Sequence, residues 1–136
     1  MKNFPHFILL DDDEFALTLA RKVIQNYNPR AGIVSFTTAK QAMAYIEAED
    51  IRGKQADTVF LTDLHMPGID GFTLLDQIEK NLIAVRERLH IFVLSADASP
   101  GEIRKVLSYG CVTGFYRKPV SIGYFKEIID CLQYPL

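Results

Sequence analysis

Four short apolar runs constrain this chain more than any other feature. Phe7-Ile8-Leu9-Leu10 stops at Asp11-Asp12, and Thr58-Val59-Phe60-Leu61-Thr62 stops at Asp63. Ile91-Phe92-Val93-Leu94 stops at Ser95, and Phe115-Tyr116-Arg117 stops at Lys118-Pro119. The first and the last-but-one are continuously apolar, as in strands covered on both faces. A fifth run, Ile33-Val34-Ser35-Phe36, is also short and of strand length.

Between the runs the periodicity turns helical. Ala16, Leu19, Ala20, Val23, Ile24 and Tyr27 predict a helix over 14–27, ended by Asn28-Pro29-Arg30-Ala31-Gly32. Thr38 with Gln41 predicts a capping box opening a helix through about Glu49, with Ala42, Met43 and Ile46 inward. Arg52-Gly53-Lys54 reads as a polar connection. After Asp63, the loop Met66-Pro67-Gly68 leads to a helix striped by Phe72, Leu75 and Ile78, and its continuation through Leu82 and Val85 is left open. Ser99-Pro100-Gly101-Glu102 combines an N-cap, a first-turn Pro and a Glu three past the cap, predicting a helix through Tyr109 that Gly110 stops. Ser121 caps a last helix carrying Ile122, Phe125, Ile128, Ile129 and Leu132. Five strands alternating with five helices predict an α/β fold, a doubly wound parallel sheet with helices on both faces. With no repeat or linker in 136 residues, one domain over 1–136 is expected.

Charge and cysteine usage narrow the function. A net charge of -2 without a basic block gives no electrostatic case for nucleic acid or for a polybasic membrane anchor. The apolar run near the N-terminus ends at Asp11-Asp12-Asp13-Glu14, too short for a span or a signal peptide, so a cytoplasmic protein is the expectation. Cys111 and Cys131 form no CxxC, and His6, His65 and His90 have no metal spacing. His6 and His90 flank strands and are expected at the surface.

In a parallel sheet the carboxyl ends of the strands share one rim, where ligands bind. That rim would bring together Asp11, Asp12, Asp63, Ser95 and Lys118. Three carboxylates repel one another and one ammonium cannot balance them. Mg²⁺, with its preference for carboxylate, phosphate and water oxygens, can. A spare carboxylate beside a metal, a hydroxyl and a lysine suits phosphoryl transfer. The competing reading of Asp63 alone is a solvated turn residue or helix cap.

Taken together, Leu9-Leu10-Asp11-Asp12, Thr62-Asp63-Leu64-His65-Met66-Pro67-Gly68-Ile69-Asp70-Gly71, Leu94-Ser95-Ala96 and Arg117-Lys118-Pro119 resemble the receiver domains of two-component response regulators, chemotaxis regulators among them. The resemblance runs from about Phe7 to Leu132. It implies a flavodoxin-like sheet of order 2-1-3-4-5, the order found in chemotaxis receivers. It implies that Asp63 is the phosphoacceptor, taking a phosphoryl group from a sensor histidine kinase, a histidine phosphotransfer protein or a small phosphodonor. It further implies Mg²⁺ on Asp12, Asp63 and the backbone carbonyl of His65, with Asp11 acting through water. Ser95 and Lys118 would contact the phosphoryl group, Phe115 would be the switch aromatic, and Lys118-Pro119 would be cis, which Pro tolerates.

His65 lies two past Asp63, and Asp97 two past Ser95. They are expected to approach across the mouth of the site and to modulate the water that hydrolyses the phosphoryl group. One departure from the family pattern is an extra residue between Gly110 and Lys118, through Val112-Thr113-Gly114. The expected output is a changed surface read by a downstream protein target, or by a domain outside this chain. Catalytic turnover is not expected, because a phosphatase with an aspartyl-phosphate intermediate would want an acid at His65. A phosphorylation-independent binding module competes with the switch, but such modules usually lose site acids. A nucleotide carrier would need a Gly-rich loop after the first strand, where this chain has acids.

Overall fold

The computed structural model describes residues 4–48, 57–81 and 89–133. In chain order these are β1 (His6–Leu10), α1 (Glu14–Tyr27), β2 (Ile33–Phe36), α2 (Ala39–Ala48), β3 (Thr58–Asp63), α3 (Gly71–Asn81), β4 (Leu89–Ser95), α4 (Pro100–Leu107), β5 (Val112–Arg117) and α5 (Ile122–Gln133). The strands form one parallel sheet of order β2-β1-β3-β4-β5, as the resemblance implies. Glu49, Arg52-Gly53-Lys54, Leu82 and Val85 lie outside the described residues.

The apolar runs are continuous because the sheet is covered on both faces. Ile8, Leu10, Phe60, Ile91 and Val93 point toward α2, α3 and α4, where they meet Met43, Ile46, Leu74, Leu75, Ile78 and Val106. Their neighbours Phe7, Leu9, Val59, Leu61, Phe92 and Leu94 point the other way, onto Leu17, Ala20 and Ile24 of α1 and Phe125, Ile128, Ile129 and Leu132 of α5. Burying one such side chain fully is worth about 1.5–3 kcal/mol. Strand ends on the rim are therefore held by a stiff, double-sided core.

Three expectations change. The fifth strand starts at Val112, three residues before Phe115, and carries a bulge: Ile91 pairs with Val112 but Phe92 with Gly114. Thr113 is thus the extra residue, and it restores Val112 and Phe115 to one face, against the α2–α4 side. Gly114 sits close to Phe92 there: a Cβ would lie 3.2 Å from the ring, a tight contact that the ring would have to relieve. The fourth helix ends at Leu107 with Ser108 as its cap, so Tyr109 belongs to the following turn. Neither His6 nor His90 is a flanking surface residue: His6 is half-buried at the start of β1, its Nε2 3.1 Å from the Tyr45 hydroxyl, and His90 sits inside β4, its Nε2 3.2 Å from Asp57 Oδ1. Leu89 is buried, which extends the strand at its amino end and draws His90 in.

Candidate functional site

Asp11, Asp12, Asp63, Ser95 and Lys118 do meet on the carboxyl rim. One oxygen from each of Asp11, Asp12 and Asp63 lies within 4.8 Å of the others. Asp12 is exposed, whereas Asp11, Asp63 and Ser95 are buried. Asp13 caps α1, its side chain accepting the Phe15 N–H at 2.9 Å, while Asp11 Oδ1 accepts the Asp13 N–H at 2.9 Å. The acidic turn thereby splits its labour: Asp13 serves the helix and leaves Asp12 unclaimed by that cap.

Lys118 reaches the cluster from β5's end. Its Nζ donates to Asp11 Oδ2 and, at 3.2 Å, to Asp63 Oδ2. The peptide bond to Pro119 is cis, and the Lys118 N–H donates to the Ser95 carbonyl at 3.1 Å. Asp63 Oδ1 accepts the Leu64 N–H at 2.8 Å. Burial raises the Asp63 carboxyl above its ordinary value; Lys118 works against this and the Asp11 charge reinforces it. For Lys118, burial works downward, but the hydrogen bond to Asp11 and the Asp63 charge hold the ammonium above its ordinary value. One ammonium therefore leaves the acids unbalanced. A hard divalent cation on these oxygens fits that deficit, and the cluster can hold a metal.

The loop after β3 is closed by the Gly71 N–H donating to the Leu64 carbonyl at 2.8 Å, with Gly68 at φ +90° in the bend. This close approach demands glycine at 71, where a Cβ would lie 2.8 Å from that same carbonyl oxygen. His65 on this loop is half-exposed. Its Nε2 lies 3.9 Å from Asp97 Oδ1 and 3.3 Å from Glu102 Oε2. The Ser95 hydroxyl donates to Asp97 Oδ1 at 3.2 Å. Phe115 is half-buried on the α2–α4 side, in register with Val93. Glu102 is the residue that sequence reasoning does not bring to the site. Its spacing marks it only as the partner of Ser99 in a capping box, which is also present.

The response regulator receiver domain model matches residues 7–130. The chain belongs to the response regulator receiver domain family. Among relatives, this receiver is 26% identical over 121 residues to the two-component response regulator ARR2 of Arabidopsis thaliana, covering 89% of this chain but 16% of that protein. It is 25% identical over 122 residues to sporulation initiation phosphotransferase F of Bacillus subtilis, covering 90% of this chain and 89% of that one. This receiver thus spans a small fraction of the plant regulators it matches. Its fold is similar to a two-component response regulator of Cytophaga hutchinsonii, with a TM-score of 0.87 at 20% identity over 97% and 98% of the two chains. A chemotaxis response regulator of Vibrio cholerae superposes with a TM-score of 0.72 at 16% identity, over 96% and 99%. The family is consistent with two-component signalling. Among the described residues of this receiver, no helix is long and apolar enough to cross a membrane.

Proposed function

We propose that this chain is a phosphorylation-controlled switch and that Asp63 is its phosphoacceptor. The observation that carries the reading is the convergence of Asp11, Asp12 and Asp63 with a single lysine bonded to two of them. An Asp63 oxygen forms the new P–O bond as the donor's own P–N or P–O bond breaks, its electron pair leaving with the donor. Lys118 is placed to exchange its bond with Asp63 for one with a phosphoryl oxygen. Ser95 would supply a hydroxyl and Phe115 would follow it inward. Asp12, Asp63 and the His65 carbonyl would hold Mg²⁺, with Asp11 behind a water. When bound, Mg²⁺ neutralises charge on the phosphoryl oxygens.

The donor is a sensor histidine kinase, a histidine phosphotransfer protein or a small phosphodonor, and the output is a protein contact. Phe15, 76% exposed, supports the partner reading. It lines a cavity of about 180 Å³ that reaches Asp11, Lys118 and Pro119 beside the site. The chemistry is one phosphoryl group accepted and later lost to water, not turnover of a substrate. Incubation with acetyl phosphate and Mg²⁺ tests the reading. The intact chain should gain one phosphoryl group by mass and Asp63→Ala none. No gain on either favours a phosphorylation-independent binding module.

A further inference from the structure

Ser95, Asp97, His65 and Glu102 form one chain of contacts from the end of β4 to the start of α4. The Ser95 hydroxyl spends its proton on Asp97 Oδ1. His65 Nε2 faces that same oxygen at 3.9 Å but lies nearer Glu102, at 3.3 Å. Glu102 uses its other oxygen, Oε1, to accept the Ser99 N–H at 2.9 Å, while the Ser99 hydroxyl accepts the Glu102 N–H at 3.1 Å. One carboxylate thus joins the loop after β3 to the first turn of α4. Otherwise that helix is held by one fully buried side chain, Val106, and by the partly buried Ile103.

We propose that Glu102 is a positioning residue that makes the start of α4 respond to where the Ser95 proton is donated. The inference rests on Asp63 being the phosphoacceptor. With Asp63 free, Ser95 occupies Asp97 Oδ1, and His65 stays on Glu102, pinning α4 to the β3–α3 loop. Phosphoryl oxygens on Asp63 draw the Ser95 hydroxyl away and leave Asp97 Oδ1 without that donor. Asp97 then competes with Glu102 for the one N–H at His65 Nε2. As His65 turns to Asp97, Glu102 loses its tie and the first turn of α4 loosens. No covalent bond changes beyond the phosphorylation itself; two donors change acceptors.

Amide exchange at Glu102 and Ile103, whose N–H groups bond to Ser99, reads the start of α4 directly. The full chain is followed with and without acetyl phosphate and Mg²⁺, with occupancy measured by intact mass. In the wild type, exchange at these two amides rises about threefold on phosphorylation, the size expected for loss of one exposed side-chain contact. Glu102→Gln keeps an acceptor for the Ser99 N–H but turns an NH2 group rather than an oxygen toward the His65 N–H, so exchange is already fast and phosphorylation adds nothing. Asp97→Ala cannot recapture His65, so exchange stays slow in both states. A wild-type response in either variant, at full occupancy, overturns the proposal. A wild type that gains no phosphoryl mass overturns the reading of Asp63 as well, and the two failures are distinguished by the mass measurement.

Discussion

Helices α5 and α4, on opposite faces of the sheet, are held in different ways. On one face, α5 buries Phe125, Ile128, Ile129 and Leu132, and α1 buries Leu17, Ala20 and Ile24. Aromatic contacts reinforce that side, with Phe7 edge-on to Phe125 at 5.9 Å and Tyr116 stacked on Tyr124 at 4.4 Å. On the other face α2 and α3 bury Met43, Ile46, Leu74, Leu75 and Ile78, but α4 fully buries only Val106, packs Ile103 partly, and has polar contacts along itself and the turn after it. The Tyr109 hydroxyl donates to Asp76 at 2.8 Å, the Cys111 N–H donates to Glu79 at 2.6 Å, and Lys105 Nζ sits 4.1 Å from the centre of the Phe72 ring. Apolar burial is non-directional and is lost only with the area itself. A hydrogen bond nets about 0.5–1.5 kcal/mol and can be exchanged for another partner or for water. The α1–α5 side is therefore a fixed floor for the acids, and on the other side α4 is the adjustable element.

The sharpest test of this contrast is Phe125→Ala. It should cost about 3–5 kcal/mol in urea melts, as large core truncations do, while leaving exchange at the start of α4 unchanged up to the global transition. An α4 that opens first in this variant would erase the distinction between the two helices. Gly71→Ala strikes the loop that faces α4. The new Cβ meets the Leu64 backbone, so the loop carrying His65 must shift, at about 1–3 kcal/mol by the same melts.

Asp63→Asn should act in the opposite direction. The raised Asp63 pKa means that the native state holds that proton more tightly than the unfolded chain. Its contribution is present below the ordinary value of 3.8 and is lost as pH rises through the folded value. At neutral pH the variant is thus more stable, and melting curves should converge as pH falls toward 3.8. Mg²⁺ should raise the melting temperature of the wild type and leave that of the variant almost unmoved.

The smallest effect is expected from Tyr109→Phe, about 0.5 kcal/mol, because its bond to Asp76 is exposed to water. Burial first, and then the bond to Asp76, push the Tyr109 phenol up to about 12. Its contribution is present below the ordinary value of 10.0 and disappears as pH rises through about 12. Tyrosinate absorbance should show one fewer high-pH transition in the variant.

Much of the fold was legible because its strands are short apolar runs with helical stripes between them. Those patterns record burial directly, and β1, β3 and α1 fall within a residue of their predicted bounds. The family resemblance supplied the strand order, since burial periodicity does not say which strands are neighbours. Less legible were features set by contacts between distant segments. His90 is drawn into β4 beside Asp57, and Thr113 is bulged so that Phe115 returns to the α2–α4 face. At the site, Asp11, Asp12, Asp63, Ser95 and Lys118 were readable as strand ends. The approach of His65 to Asp97 was expected, but the nearer carboxylate, Glu102, was not.

By itself, then, the sequence determined the alternation of strands and helices and which polar side chains stand at the strand ends. Both are local properties, written in the spacing of apolar residues and the side chain at which each run stops. Only the tertiary structure decided how those ends interact. It set Lys118 between Asp11 and Asp63, left the acids short of positive charge, and brought Glu102 across from α4 to His65. Charge balance and donor sharing depend on distances between segments far apart in the chain, and residue spacing carries no such distances.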